Sequence, residues 1–188
     1  MGETMTVMHE IYLKPAEMTL CKKPCKVTTV LGSCLAVILF HQKSRTGAIC
    51  HALLPACPHP NNSCREGCRQ TFRYVDCSLR FMLDRYIALG AKPSELTVKL
   101  FGGSDMFIAK NRESISDVGR QNVEMATRLV EEQGLNLTAA SLGGIQGRKL
   151  FFFTHTGLVE MKYVQDRDPA GAGSLFQEER LLLSPEAR

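Results

Sequence analysis

At 188 residues, 44% of them apolar, the chain has the material for one domain with a substantial core. The formal charge of +4 is modest, and no Lys/Arg block is flanked by aromatic residues, so nucleic acid is not an expected partner. No apolar run reaches the roughly 18 residues of a membrane span, and residues 1–10 carry polar and acidic side chains where a signal peptide needs an apolar core, so no direct membrane insertion and a cytoplasmic location are expected. Eight cysteines in that compartment point to catalytic, metal-binding or buried roles rather than to a disulfide framework.

Val7–Leu13 and Met18–Leu20 read as short strands around a turn at Pro15, and Lys26–Val30 as a strand leading into Gly32. Cys34–Phe40 (CLAVILF) is an apolar run of buried-strand length. The polar stretch Gln42–Thr46 turns the chain, and Gly47–Leu54 (GAICHALL) follows as a second strand. Pro55–Gly67 is a loop rich in Pro, Asn, Cys and Gly. Helical spacing of Phe72, Val75, Leu79, Met82, Leu83 and Tyr86 predicts a helix over Gln70–Leu89 with its stripe in the core, stopped at Gly90. Leu96–Phe101 is a strand ending at Gly102-Gly103, and a polar loop containing Phe107 follows. Asp117 is a candidate cap for a second helix, Val118–Gln133, with Val123, Ala126, Leu129 and Val130 on one face. Strands over Asn136–Leu142, Arg148–Thr154 and Leu158–Val164 complete residues 1–165, and 166–188 reads as a mobile tail with an apolar-acidic patch at Leu175–Leu183. Strands clustered rather than alternating with helices predict an α+β fold: two packed β-sheets, or one bent mixed sheet, with helices on an outer face.

If the two strands after Gly32 pair as a hairpin, the start of one lies beside the end of the other, and Cys34 and His51 can meet. A thiol beside an imidazole is the minimal apparatus of nucleophilic acyl transfer. Taken singly, each residue has a plainer reading: a cysteine before a strand is usually a small buried hydrophobe, and a histidine in an apolar strand a satisfied core residue. Cys57, His59, Cys64 and Cys68 offer four soft ligands for zinc or iron in one loop. Their spacing lacks paired Cys-x-x-Cys knuckles, and free thiols on a surface insertion is the alternative. Cys21 and Cys25 form a further pair.

Several motifs in order resemble the CheD family, the chemoreceptor glutamine deamidases of bacterial chemotaxis: Leu31-Gly32-Ser33-Cys34 before an apolar strand, Gly47 through His51 to Leu54-Pro55, Arg73-Tyr74-Val75-Asp76, Lys99-Leu100-Phe101-Gly102-Gly103 with Met106-Phe107, and Gly119 with Asn122. The resemblance spans about Val7 to Val164. It implies a fold similar to the catalytic domain of cytotoxic necrotizing factor toxins, with Cys34 as nucleophile, His51 as its base and a threonine just before Leu31 as the orienting third member. Thr28 is assigned that place, with the adjacent Thr29 as the alternative; in a strand the two face opposite sides, so only one can serve. Gln121 departs from the family's Gly-x-Arg-Asn, and the cysteine-rich loop is not part of the pattern.

The activity so implied is hydrolysis of glutamine side chains on chemoreceptor cytoplasmic helices to glutamate, through a cysteine thioester and without cofactor or metal. A CheC-type phosphatase is the second implied partner. An imidazolium beside Cys34 would make it a low-pKa, fast-reacting thiolate. Two other classes compete: a non-catalytic adaptor that binds receptor or phosphatase, and a metal- or redox-sensing module built on residues 57–68.

Overall fold

The computed structural model describes residues 8–58, 68–105, 117–164 and 181–183. In chain order its strands are β1 (His9–Tyr12), β2 (Met18–Cys21), β3 (Cys25–Leu31), β4 (Leu35–His41), β5 (Thr46–Ala52), β6 (Leu96–Gly102), β7 (Asn136–Leu142), β8 (Gly147–Phe153), β9 (Leu158–Val164) and β10 (Leu181–Leu183). Helix α1 (Val75–Ala88) lies between β5 and β6, and α2 (Val118–Glu132) between β6 and β7. The strands form a central sheet ordered β2-β5-β4-β6-β7 and an outer sheet ordered β1-β3-β8-β9-β10. β6 and β7 are parallel, joined through α2, and β1 runs parallel to β3; the other pairings are antiparallel.

The apolar run in β4 has no polar alternation because both faces of the central sheet are covered. On one face Leu35, Val37, Leu39, Ala48, Cys50 and Ala52 pack with Leu79, Met82 and Tyr86 of α1 and Ala126, Leu129 and Val130 of α2. On the other, Ala36, Ile38, Ile49 and Phe101 pack against Val27, Leu31, Leu150, Phe152, Val159 and Met161 of the outer sheet. The layers are therefore helices, central sheet and outer sheet. This is the predicted α+β arrangement, in its two-sheet form. Among the described residues no helix is long and apolar enough to cross a membrane.

Three expectations change in detail. The first helix is shorter than Gln70–Leu89: Thr71–Arg73 is a 3₁₀ turn and Tyr74 is extended, at φ −113° and ψ 138°. The break arises because Tyr74 forms a bridge to Leu54, and the Val75 N–H reaches the Leu54 carbonyl at 2.8 Å. Phe72 is thereby taken off the core stripe; it is half-buried edge-on to Phe81, and Leu89 is exposed. Asp117 does precede α2, but its carboxylate pairs with Arg120 and makes no capping bond to a helix N–H. Of the tail beyond Asp166, Leu181–Leu183 adds to β9 as a fifth strand of the outer sheet.

At the end of the layers away from Cys34, Gly157 takes φ +73°, and an added Cβ would stand 2.6 Å from the Phe40 ring. Its carbonyl accepts a hydrogen bond from buried Lys99 at 2.8 Å. Gly157→Ala is expected to lower stability by about 2–4 kcal/mol through backbone strain and overpacking, read as a reduced midpoint in denaturant. The chemistry at Cys34 in the folded fraction should be unchanged.

Candidate active site

β3 alternates strictly: Cys25, Val27, Thr29 and Leu31 are buried against the central sheet, while Lys26, Thr28 and Val30 face outward. The hydroxyl that meets His51 is therefore that of Thr29, the alternative to Thr28, whose side chain faces the other way. Thr29 Oγ1 lies 2.8 Å from His51 Nδ1 and donates to the Leu13 carbonyl at 2.9 Å. A hydroxyl has one proton, and a carbonyl can only accept. With that proton given to Leu13, Oγ1 accepts from Nδ1–H, which leaves Nε2 of the neutral ring as the basic nitrogen. His51 is 2% exposed, and its Nε2 has no hydrogen-bond partner among the described residues.

The backbone of His51 is held as firmly as its ring. Its N–H donates to the Glu17 carbonyl at 2.9 Å and its carbonyl accepts from Ala16 N–H at 2.8 Å. The Leu13–Glu17 turn that makes these bonds connects β1 in the outer sheet to β2 in the central sheet, so it joins the two layers where Thr29 and His51 meet.

Cys34 immediately precedes β4, is half-buried, and packs with the cluster that contains Ala36, Ile38 and Ile49. Ala36 pairs directly with His51 across the β4–β5 ladder. Cys34 thus lies on the same inter-sheet face as His51, just beyond the end of that ladder. Three consecutive carbonyls, those of Gly32, Ser33 and Cys34, are each bound. Gly32 O accepts from Ser104 N–H at 2.9 Å, Ser33 O from Asn122 Nδ2 at 2.9 Å, and Cys34 O from Gly103 N–H at 2.8 Å. Gly102 must be glycine here: it has φ +114°, and a Cβ would fall 2.2 Å from the Cys34 carbonyl oxygen.

Burial raises the Cys34 thiol pKa, with its own backbone N–H pulling weakly the other way. Burial also lowers the His51 pKa, partly opposed by the Leu13 carbonyl and the Glu17 carboxylate. Both shifts favour thiol and neutral imidazole. Both directions run against the expected low-pKa thiolate, because burial in the inter-sheet layer penalises the charged form of each group.

His41, the other histidine near this region in sequence, sits at the far end of β4, about 20 Å along the strand from Cys34. It is bonded to Ser44 Oγ at 2.6 Å. Cys50 points to the helix side of the sheet and its pKa is pushed up to about 11 by complete burial. Cys57 N–H is held by the Asp76 carboxylate at 3.1 Å. His59, Cys64 and Phe107 lie outside the described residues. Sequence reasoning missed two groups: the carboxamide of Asn122, and Arg148, whose guanidinium binds Ser104 Oγ at 2.6 Å, Gly143 O at 2.6 Å and Ser141 Oγ at 3.0 Å. Asn122 was visible as part of a motif, but no local pattern disclosed what it binds.

A family model described as CheD chemotactic sensory transduction matches residues 54–163. A probable chemoreceptor glutamine deamidase CheD 2 of Geobacter sulfurreducens is 48% identical over 162 residues, 84% of this chain and 94% of its own. A probable chemoreceptor glutamine deamidase CheD of Maridesulfovibrio salexigens is 35% identical over 88% of this chain and 98% of its own. Another, of Thermococcus kodakarensis, is 35% identical over 84% of this chain and 94% of its own.

Nitrogen NMR of the imidazole should find His51 as the Nδ1–H tautomer, titrating below its ordinary value of 6.5. Because the folded value is the lower one, this group's contribution to stability is complete above pH 6.5 and fades as pH falls through the folded value. Thr29→Ala should release the ring into a mixture of tautomers, and Thr28→Ala should leave it fixed. A fixed ring in Thr29→Ala would remove the orienting role from that hydroxyl.

Proposed function

The chain belongs to the CheD family, and from that membership we propose that it is a protein-glutamine glutaminase, converting glutamine side chains on chemoreceptor cytoplasmic helices to glutamate in chemotactic adaptation. The observation that carries the reading is the Thr29–His51 bond, which leaves a buried, basic Nε2 on the same face as Cys34. In this reading Cys34 is the nucleophile, His51 the general base and acid, and Thr29 the residue that orients it. Residues 1–165 carry the activity, and no cofactor takes part. Interaction with a CheC-type phosphatase, and the fold likeness to the cytotoxic necrotizing factor catalytic domain, belong to the same reading.

The chemistry follows from a neutral pair. His51 Nε2 removes the Cys34 thiol proton as sulfur attacks the glutamine carboxamide carbon. The C–S bond forms, and the carbonyl electron pair moves to oxygen. In this reading the Cys34 N–H donates to that oxyanion. When the intermediate collapses, the C–N bond breaks and the imidazolium gives its proton to the departing nitrogen, so ammonia leaves and a thioester remains. Water then attacks the thioester, passing one proton to Nε2 as the C–S bond breaks. Glutamate is released and the proton returns to sulfur. A neutral pair needs no stable thiolate at rest; general base catalysis of this kind contributes about 10²–10⁴-fold.

Incubating the protein with the cytoplasmic fragment of a chemoreceptor should make particular glutamine-containing peptides about 1 Da heavier and release ammonia in equal amount. Cys34→Ala should abolish this, and His51→Ala should lower turnover by about 10²–10⁴-fold. Thr29→Ala should be more damaging than Thr28→Ala. The acid limb of kcat/KM should lie below pH 6.5, because burial keeps His51 unprotonated there. Unchanged mass at every glutamine, across receptors to which the protein binds, would instead favour a non-catalytic adaptor.

A further inference from the structure

Asn122 is wholly buried on α2, on the same face as Gly119 three residues earlier. Its amide donates in two directions, to Ser33 O at 2.9 Å and to Leu53 O at 3.1 Å. Carbonyls only accept, which fixes the amide nitrogen toward them and Oδ1 away. Oδ1 is buried with no partner among the described residues. Leaving a buried acceptor unsatisfied costs stability, so an arrangement that keeps the carboxamide here is spending it on the two donor bonds.

Those bonds fall where the β4–β5 ladder stops. Its last pair is Leu35 with Ala52. Beyond it the strands diverge: Leu53 and Leu54 N–H both turn to the Arg73 carbonyl, while the Cys34 loop turns toward β6. One carboxamide therefore spans the fork between the loop that carries the thiol and the strand that carries His51. Helix α2 comes close enough because both partners at its approach are glycines; a Cβ on Gly119 would lie 2.7 Å from the Gly103 carbonyl oxygen.

Resting on the deamidase reading above, we propose that Asn122 is a positioning residue for the oxyanion: by holding the Ser33 carbonyl it aims the Cys34 N–H of the same peptide at the substrate oxygen. The peptide unit is planar and trans, so its C=O and N–H point in opposite directions. With Ser33 O held on the α2 side, Cys34 N–H is directed to the other side of the loop. Donation to the carbonyl also polarises the peptide and strengthens its N–H as a donor. The flanking carbonyls of Gly32 and Cys34 are bound by Ser104 and Gly103, so the peptide is fixed between two anchored neighbours.

The test is Asn122→Ala, measured for receptor-fragment deamidation and, separately, for alkylation of Cys34 by iodoacetamide. Alkylation is a displacement with no oxyanion, so it reads the thiol and His51 without the donor. The expected result is kcat lower by about 10²-fold, near the lower end of what losing an oxyanion donor costs, with KM and the alkylation rate within about threefold of wild type. Wild-type kcat, a loss carried by KM, or a parallel fall in alkylation would each overturn the proposal, the last by showing that Asn122 merely keeps the loop folded. Should Asn122→Ala not fold, Asn122→Ser, with one donor in less volume, is judged on the same readouts. If wild-type protein itself deamidates nothing, the deamidase reading fails; if wild type and variant deamidate alike, only the role of Asn122 does.

Discussion

Everything at the site depends on the β4–β5 ladder being buried on both faces. A strand pair covered on one face only would leave either the thiol or its surroundings in water. Here the helices seal one face through Val37, Leu39 and Cys50, and the outer sheet seals the other through Val27, Leu31 and Phe152. The polar groups of the site stand on the second face, at the one end where the ladder opens. Thr29 belongs to the outer sheet and His51 to the central one, so their hydrogen bond is also a bond between layers. Displacing the sheets relative to each other would break the orientation of the imidazole before it broke the fold.

That placement sets the electrostatics. In open solvent a cysteine and a histidine titrate nearly independently; between two sheets burial shifts both toward their neutral forms. A neutral pair is easier to keep buried than an ion pair, whose desolvation several hydrogen bonds would have to offset. In the proposed deamidase reading, it also places the proton transfer in the step where substrate is attacked rather than at rest. A permanently ionised thiol would be open to alkylation and oxidation whether or not a glutamine was present.

Much of this was legible in the sequence. The uninterrupted apolar run of β4 announced a doubly covered strand, and the turn at 42–46 announced its antiparallel partner, which together brought Cys34 and His51 to one end. The choice between Thr28 and Thr29 was not legible, because it turns on the register of β3 against the other sheet. Alternation shows that neighbours face opposite sides but not which side is inward when both flanks, Val27 and Val30, are apolar. The helix break at Tyr74 was hidden for a similar reason: Phe72 fits the helical period, and only the bridge to Leu54 pulls the preceding turn away. Asn122 and Arg148 could be seen as residues but not as devices, since the partners of Asn122 lie 69 or more residues away and the bond from Arg148 to Ser104 spans 44.

These polar contacts lean one way: most side-chain donors here bind backbone carbonyls rather than opposite charges. Thr29 holds Leu13 O, Asn122 holds Ser33 O and Leu53 O, and Arg148 holds Gly143 O while reaching Ser104. Ser104 in turn gives its N–H to Gly32 O and its hydroxyl to Gln146 O. The chain of dependence runs from the buried guanidinium through Ser104 to the loop before Cys34. Bonding a carbonyl fixes the direction of the N–H on the same peptide, so a site built this way is organised through backbone planes. Such order requires glycine wherever two backbones come within contact, as Gly102 does against Cys34 and Gly119 against Gly103. The glycines that look like ordinary strand-end punctuation in the sequence are thus what allows β6 and α2 to grip the loop that carries Cys34.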